Sequence, residues 1–194
     1  MKHKLLSVAA LVLAAGMAQQ NAGAQMVIPF IGGGPAWGSG DLSDGSEMGW
    51  AGFAGVDYTL AAMPGATVGL SAIYAHIPYE GTAEDATNIP GVFVDFGYAF
   101  GVTSPGRIKP YVRGGIGAIQ HRYDPGNSSA DDESETKLGA AVGAGINIMM
   151  GPISPFVGAH FVTGGSDTQF YTVYVGLSFG GAPAAAAAKR IFRR

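Results

Sequence analysis

The sequence contains no cysteine, which removes disulfides, thiolate metal ligands and cysteine nucleophiles from the available chemistry. Stability must come from the backbone ladder and from packing. Charge is scarce too: 13% of the residues are Asp, Glu, Lys or Arg, whereas a soluble domain carries about a quarter. The formal net charge is −3, so no basic footprint for nucleic acid exists and none is expected as a partner. Yet the mean hydropathy is positive, and beyond the leader no run of about twenty apolar residues could form a transmembrane helix. A chain this apolar can still cross a membrane if its apolar residues take every second position of tilted strands.

The first residues read as an export signal. Lys2 and Lys4 make a basic start, 5–18 is almost wholly apolar, and Ala22-Gly23-Ala24 offers a small-residue cleavage site. Cleavage there assigns 1–24 to a signal peptide. One domain is expected over 25–180, then a short basic tail over 181–194, helical through its alanines.

What the sequence has in quantity is alternation, interleaved by many of its 32 glycines. Val92, Val94, Phe96, Tyr98 and Phe100 are large and apolar, with Phe93, Asp95, Gly97 and Ala99 between them. The same period of two runs through 138–148, 171–179 and 50–60. Strands are predicted at 27–36, 48–60, 66–77, 91–102, 108–121, 137–149, 154–163 and 169–180. Their lengths suit the roughly nine to eleven residues that a tilted strand needs to span a bilayer. Connections alternate in kind. Short ones fall at Met63-Pro64-Gly65, Ser104-Pro105-Gly106 and Gly151-Pro152, and long ones at 37–47, 78–90, 122–136 and 164–168.

Charge marks the same two sides. Of the fourteen acidic residues, only Asp57 and Asp95 fall within strands; the others lie in or beside the long connections, including Asp131-Asp132-Glu133-Ser134-Glu135. The long connections are therefore expected to form an anionic outer rim. Arg107 and Lys109 stand by a short turn, and Lys189, Arg190, Arg193 and Arg194 are in the tail.

With its export signal, eight alternating strands, alternating short and long connections, and a closing strand from Tyr171 to a terminal aromatic at Phe179, the chain resembles the small outer-membrane β-barrel family. That family is represented by the OmpA transmembrane domain and OmpX. The resemblance covers roughly residues 26–180 and implies an all-β fold: an eight-stranded antiparallel up-and-down transmembrane β-barrel. It also implies periplasmic termini, insertion by the barrel-assembly machinery through the last strand, and outer-membrane lipids and lipopolysaccharide as surroundings. The sequence departs from the family in continuing past Phe179, and no wall-binding domain of the OmpA type is expected.

Eight strands enclose only enough room for side chains. Inward parity collects Phe53, Phe93, Tyr111, Phe156 and Tyr174, and with them the charges Asp57, Asp95 and Arg113 and the polar Asn147 and His160. An unpaired charge at membrane depth is expensive, so these five are expected to form a structural polar network rather than a proton or ion path. Hairpin counting about Ser104 and Pro105 places Asp95 opposite 113 or 114, which predicts a salt bridge with Arg113.

Catalysis is poorly supported. His76, His121 and His160 show no two-histidine metal spacing. A lipid A-modifying barrel enzyme would need a serine activated by a base, and none lies two positions beyond His160. The runs Gly32-Gly33-Gly34 and Gly114-Gly115-Ile116-Gly117 lack the strand-to-helix setting of a phosphate loop. No catalytic residue, cofactor or resident metal is expected. The acidic loops offer carboxylates to divalent cations, although the simple reading is a solvated segment. A soluble lipocalin-like carrier would need a polar exterior, which the small, glycine-rich second face does not supply.

Overall fold

A computed structural model describes residues 26–80, 85–102, 107–125, 133–165 and 168–180. The expected signal peptide, the basic tail and Asp131-Asp132 of the acidic run lie outside the described residues. Eight antiparallel strands follow in chain order: β1 (Val27–Ser39), β2 (Gly49–Thr59), β3 (Ala66–Pro78), β4 (Asp85–Ala99), β5 (Ile108–Pro125), β6 (Glu133–Ile148), β7 (Ile153–Thr163) and β8 (Gln169–Phe179). Each pairs with its neighbour and β1 pairs with β8, so the sheet closes and leaves no edge. One 3-10 turn, Gly40–Ser43, follows β1.

Four strands overrun their predicted ends by three residues or more, β1 by reaching Ser39 instead of 36. β4 begins at Asp85 instead of 91, β5 reaches Pro125 instead of 121, and β6 begins at Glu133 instead of 137. The long connections expected at 78–90 and 122–136 are therefore largely strand. The physical reason is that alternating apolarity reports contact with lipid, while the backbone ladder continues above the lipid wherever register partners remain. Thr87 pairs with Tyr123, and Gln120 with Thr136. The short connections turn tightly; Gly65 (φ 94°) and Gly151 (φ 105°) take the left-handed conformation that such turns need.

The barrel is inverted relative to a soluble protein. Leu138 is 83% exposed and Val175 66%, while the inward Tyr174 is 2% and Phe170 0%. The apolar exterior has no solvent role and matches a lipid-facing band. The interior is filled by large side chains lying over glycines on neighbouring strands, which explains why the inward face is glycine-rich. A Cβ on Gly145 would stand 2.7 Å from the Tyr111 hydroxyl, one on Gly158 2.6 Å from the Tyr174 hydroxyl, and one on Gly32 2.7 Å from Phe53 Cζ.

At Gly139 the obstruction is a single side chain: a Cβ there would lie 2.7 Å from Ile119 Cγ2, and Ile119 is fully buried. Gly139→Ala is expected to cost about 1–3 kcal/mol by overpacking. On an Ile119→Ala background, itself about 2–5 kcal/mol less stable, the same substitution should be nearly neutral. Urea unfolding in detergent reads both. An equal cost in the two backgrounds would show that the collision with Ile119 is not the limiting contact.

Candidate functional site: the charged interior

Asp57, Gly69, Asp95 and Gly115 are successive register partners across β2 to β5. The two aspartates therefore sit in one row with a glycine between them, and each leans over a glycine: Asp57 over Gly69 and Asp95 over Gly115. Arg113 enters the row from β5, two residues toward the short-turn end. Its Nη2 donates to Asp57 Oδ1 at 2.7 Å and lies 3.7 Å from Asp95 Oδ2. The guanidinium carbon stands 4.3 Å from the centre of the Phe30 ring, a cation–π contact.

The hairpin count is corrected by one to two residues. Asp95 faces Gly115, and Arg113 faces Gly97, because the turn and not the apolar pattern sets the register. Arg113 thus reaches Asp95 diagonally, and its closer carboxylate is that of Asp57. Among the described residues Asp95 Oδ2 has no hydrogen-bond partner, so Asp95 contributes excess negative charge to the cluster more than it contributes a bond.

His160 is brought to the same level, since Arg113, Gly143 and His160 are register partners and the imidazole lies over Gly143. Its ring centre is 5.6 Å from that of Phe53 and 4.8 Å from that of Tyr174. Nε2 has no hydrogen-bond partner among the described residues. One layer on, Phe53, Phe156 and Tyr174 pack edge and face, and the Tyr111 and Tyr174 hydroxyls meet at 2.8 Å. Asn147 faces inward but apart from the charge cluster, opposite Lys109 and Phe156, with Oδ1 lacking a partner among the described residues.

Two members of this interior escaped the sequence reading. Lys109 is buried and its Nζ donates to the Gly101 carbonyl; its parity with Tyr111 and Arg113 was the available signal. Phe30 also faces inward, but only closure of β1 onto β2 and β8 brings it to Arg113, and no local pattern carries that. Histidine placement is of one kind each: His160 is inside, while His76 faces outward and bonds Asn88. Among the described residues no group of three His, Asp or Glu side chains gathers as a metal site.

Comparison with known proteins agrees with this architecture. Neisserial surface protein A superposes with a TM-score of 0.64 at 13% identity, over 81% of this chain and 99% of that one. Ail, the attachment invasion locus protein of Yersinia pestis, superposes at 0.51 with 14% identity, over 80% and 97%. A crystal structure of Ail with the heparin analogue sucrose octasulfate gives 0.50 at 16% identity, over 80% and 97%. These likenesses show a shared fold. No curated protein sequence matches. The family model described as "Outer membrane protein beta-barrel domain" matches residues 7–179. The chain therefore belongs to the outer membrane protein β-barrel domain family, and its place is the cell outer membrane.

Proposed function

We propose that this protein is a closed outer-membrane barrel with a structural or surface-interaction role, carrying no catalysis of its own and presenting acidic connections to the outside. The observation that carries this reading is the filled interior: Arg113 held between Asp57 and Asp95 under Phe30, above a layer of Phe53, Phe156 and Tyr174. The barrel-assembly machinery is the proposed partner in insertion, through β8 and its terminal Phe179. Lipopolysaccharide is its proposed neighbour, and divalent cations bridging lipid phosphates to the acidic connections are its proposed ligands. The sucrose octasulfate bound to Ail belongs to that protein and is not carried over.

A lipid A-modifying enzyme would need its base exposed to lipid beside a serine. His160 is packed inward against aromatic rings, and the outward His76 bonds an asparagine. A small passive channel has one observation in its favour: Asp95 Oδ2, Asn147 Oδ1 and His160 Nε2 are buried without protein partners, a setting that suits enclosed water. Planar-bilayer recording of the pure protein separates the readings. Little or no conductance is expected. Stable currents of porin size would sink the closed-barrel reading.

A further inference from the structure

Among the described residues the outward face carries a polar row that neither the filled interior nor the lipid-facing band explains. Trp50, His76, Asn88 and Arg122 are successive register partners across β2 to β5, at the strand ends farthest from the short turns. Trp50 and Arg122 are exposed, as is Tyr74 two residues along β3. The Tyr74 hydroxyl donates to Asn88 Oδ1 at 2.7 Å, and His76 Nδ1 stands 2.9 Å from the same oxygen. The Trp50 ring lies 5.4 Å from that of Tyr74 and 6.1 Å from that of His76.

An amide oxygen only accepts, so His76 carries its proton on Nδ1 and keeps Nε2 for a partner outside this bond. The two Nδ2 hydrogens of Asn88 are likewise not used in these bonds. Arg122 adds a planar, permanently charged fork one strand away. The nearest acidic position on that face, Asp124, is two residues further out. Val68 to His76 is eight residues of β3, roughly 26 Å of strand at about 3.3 Å per residue. With a tilt of about 40° that is some 20 Å of depth, which puts the row at the upper edge of an apolar band about 25 Å tall. Interfacial anchoring accounts for Trp50 and Tyr74, but it requires neither the His–Asn bond nor the arginine beside it.

We propose that this row binds the phosphorylated sugar headgroup of an outer-leaflet glycolipid. Arg122 holds the phosphate, His76 Nε2 accepts from a sugar hydroxyl, Asn88 donates to a sugar oxygen, and Trp50 covers a sugar face. The apolar strand surface beneath, with Leu70 and Val92 both exposed, receives the acyl chains, which is why a lipid is the occupant and not a free anion. The inference rests on the outer-membrane location and is independent of what the interior does.

The test is titration of the full chain in detergent with bisphosphorylated lipid A, with the same lipid enzymatically dephosphorylated, and with inorganic phosphate as competitor, read by native mass spectrometry. Bisphosphorylated lipid A is expected to bind best. The Arg122→Gln/His76→Gln double variant should bind it about tenfold or more weakly, the scale of losing charge-assisted hydrogen bonds. Both side chains lie outside the barrel, so compact gel mobility without heating should be retained; should it be lost, Arg122→Gln alone provides the reading. Equal binding by parent and variant, or of the two lipid forms, overturns the proposal. Complete displacement of lipid by millimolar inorganic phosphate overturns it too, by reducing the row to a free-anion site.

Discussion

Arg113→Met should destabilise the barrel by about 3–5 kcal/mol, the usual cost of stranding buried charge. Asp57 and Asp95 share one row of the interior and Arg113 is the cation between them, so its loss leaves two carboxylates facing each other in a packed space. The three side chains do not respond alike. Two carboxylates against one guanidinium leave a negative charge in excess, and Asp95 is the member without a hydrogen bond to Arg113. Asp95→Asn is therefore expected to change stability by less than about 1 kcal/mol, within the range of substitutions that strand no buried charge. Asp57→Asn removes the 2.7 Å bond and should fall between the two. Urea unfolding in detergent of Arg113→Met, Asp57→Asn and their combination gives the coupling. Additive losses would mean that Arg113 and Asp57 do not interact, and a costly Asp95→Asn would show that the closer partner has been misassigned.

Phe53→Ala should cost about 3–5 kcal/mol, as expected for deletion of a buried aromatic, and should also open the barrel. Phe53 contacts Phe30, Phe156, His160 and Tyr174, so its ring joins the layer beside the charge cluster to the layer below. No glycine-lined wall can collapse onto the vacated space, because the neighbouring strands are held by their hydrogen-bonded register. The cavity would adjoin His160 Nε2, a polar atom able to hold water. Bilayer recordings of Phe53→Ala are expected to show discrete small currents that the parent lacks. Loss of stability without any current would mean that the other rings close the barrel by themselves.

Legibility differed by residue for physical reasons. The inward parity of Asp57, Asp95, Arg113, Asn147 and His160 was readable because a strand points successive side chains to opposite faces, and one charge among apolar alternates marks its face. The ends of β4, β5 and β6 were not, because Asn88, Arg122 and Thr136 continue a ladder above the lipid that no apolar pattern records. The hairpin partner of Asp95 was missed by one to two residues, since turn geometry and not hydrophobicity sets the register.

By itself the sequence determined that the chain is an alternating, cysteine-free strand protein with an apolar outside and a small, glycine-rich inside, because period and composition are local quantities. Only the tertiary structure decided that Arg113 bonds Asp57 more closely than Asp95, that Phe30 covers its guanidinium, and that Trp50, His76, Asn88 and Arg122 form one outward row. Those contacts join residues from different hairpins, and their distances follow from closure and from register summed around the barrel.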